Sequence, residues 1–181
     1  IIVSHYQINE ADCLILPGVG SFDNVMNALE TKKMILPITN AVKNNIPILG
    51  ICIGMQVLFT SSEEGKKKGL NFLNGRFKKL IFKSEETHKV PNTGFREVNF
   101  GKTNCLSIAL KSKGYFYFNH TYALKADDFY DDFDSCMHNE LFVASFKKNN
   151  IFGMQFHPEK SQSNGLSLLK QFAKYCANRK K

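Results

Sequence analysis

Short apolar runs stopped by glycine and proline alternate, in the first third of the chain, with stretches whose apolar residues recur three and four positions apart. Cys13-Leu14-Ile15-Leu16 is such a run and ends in Pro17-Gly18-Val19-Gly20, the pattern of a buried strand entering a tight turn. Beyond it Phe22, Val25, Met26 and Leu29 share one helical face, with Ser21 placed to cap that helix. A second helical stretch sets Met34, Ile35, Ile38 and Val42 inward and ends at Lys43-Asn44-Asn45. Residues 47–52 are again continuously apolar, and residues 55–60 read as the start of a further helix. Strand, helix, strand, helix in this order predicts a parallel sheet with helical crossovers. Residues 1–3 read as a strand already in progress.

The middle of the chain changes character. Residues 61–69 are polar and lysine-rich and read as an exposed loop or a ragged helix end. Short strand-like runs then dominate, at residues 76–82, 97–100, 115–118, 141–146 and 151–156, and the acidic stretch 127–134 reads as a solvated loop between two of them. Near the end Gly165, Leu166, Leu169, Phe172, Ala173 and Cys176 mark one face of an amphipathic helix, with Ser161 or Ser163 as its cap. No repeat or linker divides the chain, so one domain over residues 1–181 is expected.

Composition narrows the function classes. A chain of 181 residues with 43% hydrophobic content can build a core without staples. Its five cysteines (Cys13, Cys52, Cys105, Cys136, Cys176) show no C-x-x-C spacing, which points away from a disulfide framework or a zinc site and towards a reducing, cytoplasmic setting. No apolar run approaches the roughly 20 residues that span a bilayer, and the start lacks a basic-then-apolar signal pattern. The net charge of +8 raises a polyanion partner. Only Arg76, Arg96 and Arg179 are arginines, however, and lysine is the poorer residue for bidentate phosphate recognition, so no nucleic-acid partner is expected.

Three places carry chemistry. Gly50-Ile51-Cys52-Ile53-Gly54, between an apolar strand and a helix, has the form of a nucleophile elbow with cysteine in the serine position. Its glycines suit a turn where backbones approach closely, and a thiol at a helix N-terminus is expected to lean towards thiolate. A buried core cysteine is the alternative. In Phe156-His157-Pro158-Glu159 an extended backbone projects His157 and Glu159 to one side, so the carboxylate can orient the imidazole while its other nitrogen addresses a thiol. A structural histidine at a strand end is the alternative there. Pro17-Gly18-Val19-Gly20 would share the carboxyl edge of a parallel sheet with Cys52 and aim a backbone amide at a reacting carbonyl, or be an ordinary glycine turn.

In order, P-G-V-G, G-I-C-I-G-M-Q, Y-F-N-H-T-Y and F-H-P-E-K-S resemble a class I (triad) glutamine amidotransferase, of the branch formed by the glutaminase subunits of imidazole glycerol phosphate synthase. The resemblance runs from about Ile1 to the C-terminal helix. It implies an α/β, flavodoxin-like fold: a mainly parallel sheet with flanking helices plus an additional antiparallel strand region. This chain would lack the family's first strand and helix. It implies a Cys52-His157-Glu159 triad that hydrolyses glutamine through a thioester, without metal or cofactor. The amide of Ile53 and an amide of the Gly18-Val19-Gly20 turn would hold the oxyanion, that turn being misaligned until the partner subunit binds substrate. Gln56 and the segment Asn119, His120, Thr121 and Tyr122 would bind glutamine, His120 not being the base.

The resemblance further implies a heterodimer with a (β/α)8-barrel synthase subunit that receives the ammonia in histidine biosynthesis, docked on Pro91, Asn92, Gly94, Phe95 and Lys160. Where the family shows P-H-M-G-W-N, this chain has P-N-T-G-F-R. That departure leaves open a paralogue feeding a different barrel synthase, such as one making amidino sugars of surface polysaccharide. An intact triad speaks against a non-enzymatic or polyanion-binding domain.

Overall fold

A computed structural model describes residues 5–81, 90–101, 106–107, 110 and 112–179. The strand expected at residues 1–3, the end of the run at residue 82 and Cys105 lie outside the described residues. A seven-stranded sheet organises the rest, in the order β1 (Leu14–Leu16), β2 (Ile48–Ile51), β10 (Ile151–Met154), β9 (Glu140–Lys148), β8 (Phe133–His138), β5 (Asn92–Asn99) and β6 (Lys113–His120). The pairs β1/β2 and β2/β10 are parallel, whereas β9, β8, β5 and β6 continue the sheet with antiparallel pairings. The parallel layer and the antiparallel region are thus one continuous sheet. A second sheet joins β3 (Phe59–Ser62), β4 (Leu73–Lys79) and β7 (Tyr122–Ala123).

β2 and β10 are apolar throughout because both faces of the sheet are covered. Their register sets Ile48 beside Ile151 and Leu49 beside Phe152, so each pair shares a face. Ile48 and Ile151 face a core built from α1 (Phe22–Thr31), α2 (Ile35–Lys43) and the aromatic group Phe59, Phe77, Phe129 and Phe146. Leu49 and Phe152 face a second core containing Phe116, Phe118, Phe142, Phe156 and the inward residues of α4 (Gln162–Asn178). Each such fully buried Phe contributes about 1.5–3 kcal/mol relative to exposure.

Several expectations are corrected. The helix expected over 55–60 is one turn, α3 (Ile53–Gln56), and the chain turns into β3 after it. Ser21 occupies the N-cap position of α1 without a side-chain cap bond, and the Phe22 amide donates to Glu64 Oε2 at 2.8 Å instead. The 61–69 stretch is tied down: the amides of Lys66 and Lys67 donate to the Asp23 carboxylate and hold its pKa below the usual carboxylate range. Within 127–134, residues 133–134 belong to β8, and Asp134 is buried with the Ser145 hydroxyl and the Gly101 amide donating to it. α4 buries Gly165, Leu168, Phe172 and Cys176, leaving Leu166 and Ala173 exposed. Among the described residues no helix is long and apolar enough to cross a membrane.

Candidate active site

The parallel register of β2 and β10 ends at Ile51 beside Met154, so the residues that follow each strand leave the sheet at one edge. The Cys52 amide donates to Met154 O at 2.7 Å and pins the turn there. Cys52 takes φ 53° and ψ −112°, outside the regions open to ordinary residues, at a cost of about 1–3 kcal/mol borne by the surrounding packing. Three glycines permit it. A Cβ on Gly54 would overlap the Leu16 carbonyl oxygen, one on Gly18 the Ile51 carbonyl oxygen, and one on Gly50 would lie 2.5 Å from Gly54 O. Gly18 therefore serves close packing of the Pro17–Gly20 turn against the elbow, while Val19 points out and is 83% exposed.

The segment after β10 is anchored as firmly. Phe156 stacks on Phe116 at 4.3 Å and meets Phe118 edge-on. His157 N–H donates to Tyr117 O at 2.8 Å, and Ser161, expected as a helix cap, spends its hydroxyl on His157 O (2.6 Å) while accepting from the Tyr117 amide (2.9 Å). His157 Nδ1 then lies 2.7 Å from Glu159 Oε1. The imidazole is buried and the carboxylate half exposed. With its proton on Nδ1 facing Glu159, the ring keeps Nε2 as a free acceptor.

The sulfur is not yet engaged with that acceptor. Cys52 Sγ donates to Asn119 O and receives the Gln155 carboxamide, each at 3.8 Å. Nor does the sulfur lean towards thiolate as its place at a helix N-terminus predicts. Burial pushes the Cys52 thiol up to about 11, and the hydrogen bond from the Ile53 amide only partly offsets it. One turn of helix carries too few aligned peptides to outweigh desolvation. Alkylation of Cys52 by iodoacetamide in the isolated chain is therefore expected to accelerate about tenfold per pH unit between about pH 7 and pH 10. A rate already level by about pH 8 would contradict the buried thiol.

A cleft of about 230 Å³ opens over Cys52, lined by Gly20, Ile53, Gln56, Glu64, Pro91, Asn119, His120, Thr121 and Tyr122. Gln56 is buried; its Nε2 donates to Tyr122 O at 3.5 Å and its Oε1 has no protein partner. His120 is fully enclosed, its ring held between Tyr122 O (2.9 Å from Nδ1) and Asn92 Nδ2 (3.0 Å from Nε2). Burial pushes its pKa down to about 4, so it stays neutral, and neither ring nitrogen is left to serve Cys52.

Asn92, expected at a docking face, is buried: the alternation along β5 turns it inward, and its side chain meets His120 rather than a partner. Phe95 and Lys160 do face outward, around Tyr117, with the Phe95 ring at 5.7 Å and Lys160 Nζ at 5.6 Å. Glu64, the one acid in the cleft lining, was missed because its stretch reads as solvated loop; only its distance to the α1 N-terminus in the fold reveals it. Among the described residues no three His, Cys, Asp or Glu side chains converge as a metal site requires.

The model for the class-I glutamine amidotransferase family matches residues 1–175. The chain is 40% identical over 175 residues to the imidazole glycerol phosphate synthase subunit HisH of Leptospira borgpetersenii, covering 96% of this chain and 86% of that one. It is 42% identical over 171 residues to the HisH subunit of Sulfurimonas denitrificans, covering 93% and 82%. In fold it matches the structure of PurLQS from Thermotoga maritima with a TM-score of 0.64 at 17% identity, over 90% of this chain and 79% of that one. The chain belongs to the class-I glutamine amidotransferase family, within its group of imidazole glycerol phosphate synthase HisH subunits.

Proposed function

We propose that this chain releases ammonia from glutamine at Cys52 and delivers it to a (β/α)8-barrel synthase subunit in a cytoplasmic heterodimer. The observation that carries the reading is the common edge: the strained Cys52 turn, the His157–Glu159 pair and the Gln56 cleft all leave the carboxyl ends of β2 and β10 and of their neighbours. Glutamine's α-ammonium group meets Glu64, and the orphan Gln56 Oε1 accepts one of its N–H groups. His157 takes the thiol proton as sulfur bonds to the side-chain carbonyl carbon, and the electron pair moves to oxygen. That oxyanion is held by the Ile53 amide, which rests against sulfur beforehand, and by an amide of the Gly18–Gly20 turn. His157 then protonates the leaving nitrogen, the C–N bond breaks, and ammonia departs; water attacks the thioester to give glutamate and restore the thiol.

The resting geometry supports gating by a partner. The sulfur is protonated and bonded to Asn119 O, so the isolated chain is expected to turn over glutamine slowly. The outward Phe95, Tyr115 and Lys160 form an aromatic and cationic face for the barrel, beside the half-exposed Glu159.

The test is restoration of growth in a histidine auxotroph lacking its own glutaminase subunit, with this chain co-expressed with the barrel subunit encoded for the same pathway. Growth is the expected result. Failure, with glutaminase activity appearing beside a different barrel synthase, would assign the ammonia to another product.

A further inference from the structure

Gln155 follows β10 directly and is fully buried, at 0% exposure. A polar side chain in that position is costly unless its groups are paired, and a Leu or Met would fill the same space at no such cost. Yet one of its two polar atoms, Oε1, is buried without a partner. The other, Nε2, lies 3.8 Å from Cys52 Sγ. The sulfur's own hydrogen is committed to Asn119 O, so any further partner at sulfur must be a donor, as the Ile53 amide is, which orients the carboxamide with its NH2 towards the thiol. The placement is rigid. The Gln155 amide donates to Ala144 O at 2.8 Å, and the residue before it, Met154, accepts the Cys52 amide. One short segment, residues 154–159, thus fixes the nucleophile's backbone, touches its sulfur, and carries His157 and Glu159.

We propose that Gln155 is a catalytic residue of the glutaminase reaction, donating a carboxamide N–H to the Cys52 sulfur and holding the thiolate formed as its proton passes to His157. The inference rests on the reading of Cys52 as nucleophile. Cys52 is only 7% exposed, so water cannot solvate the anion at that moment and a fixed dipole must replace it. Burial drives the thiol pKa upward, and the Gln155 hydrogen bond is one of the influences that pull it back. Charge on sulfur strengthens such a bond, so it favours the thiolate over the thiol.

The test uses Gln155→Met, which keeps length without a donor, and Gln155→Glu, which keeps shape and sets a carboxylate beside the sulfur. In the assembled synthase, glutamine-dependent kcat is expected to fall about 10- to 100-fold in both while KM for glutamine stays within about twofold. In the isolated chains, iodoacetamide labelling of Cys52 at about pH 8 is expected to slow by a similar factor, with its pH profile displaced to higher pH. Synthesis from added ammonium salt reports that each variant folds and docks. Should Gln155→Met fail that control, Gln155→Glu carries the test. Unchanged kcat in either variant overturns the proposal, as does a lower kcat with an unmoved labelling profile, which is what loosened packing alone would give. Cys52→Ala separates the two readings. If it is inactive with glutamine while the Gln155 variants are fully active, only the role of Gln155 falls. If it retains activity, the nucleophile assignment falls first.

Discussion

Cys52→Ala in the assembled synthase is expected to abolish glutamine-dependent synthesis, lowering kcat/KM by at least about 10⁴-fold, and to leave synthesis from added ammonium salt unchanged. The size of the loss follows from what remains. Without sulfur no thioester forms, and the Ile53 amide and the Gly18–Gly20 turn would have only a weakly nucleophilic water to assist. The survival of ammonia-driven synthesis follows from what the substitution leaves intact. Alanine keeps the Cβ and the backbone demand at φ 53°, and removing the sulfur loses its two long hydrogen bonds of 3.8 Å each together with the one from the Ile53 amide. The sulfur is buried, whereas Phe95, Tyr115 and Lys160 face outward, so the docking proposed through them does not depend on it. Equal loss of both activities would mean that Cys52 holds the elbow together rather than attacking substrate.

Legibility in the sequence followed the range of the interactions involved. The turns at residues 17–20 and 50–54 are local: the glycines and the apolar run before each determine where the strand ends, and the structure has β1 and β2 end there. β3 was illegible because Val57, Leu58 and Phe59 form a short apolar run that suits helix or strand equally, and its partner Leu73 comes from β4. Asp134 reads as solvated because its partner Ser145 lies eleven residues away on β9. The same limit governed the site. His157 and Glu159 sit two residues apart and their contact could be read directly, whereas Glu64 and Gln155 reach the cleft and the sulfur only through the packing of separate segments. The acidity of Cys52 was misjudged for a related reason: sequence shows a helix start, but burial, which sets the sign, is a property of the assembled sheet edge.

Gly54→Ala is expected to destabilise the chain by about 3 kcal/mol and to remove glutaminase activity with it. Intrinsic preference argues the other way, since alanine in a helix is favoured over glycine by about 1 kcal/mol and Gly54 lies within α3. Contact decides the sign. The added Cβ would overlap the Leu16 carbonyl oxygen, which belongs to β1 and is held by its parallel pairing with β2, so there is no flexible side chain to rotate aside. Relief requires α3 to move off the end of β1, and α3 carries Ile53, Gln56 and the turn of Cys52 with it. Gly20→Ala is the informative control. Nothing lies within 4 Å of its Cβ, and only its φ of 112° opposes the change, at about 1–2 kcal/mol. Urea midpoints of the two variants, read together with glutamine turnover in the assembled synthase, separate crowding from strain. A Gly54→Ala protein with the parent midpoint and parent turnover would show that β1 and α3 are not in the close contact on which the elbow geometry depends.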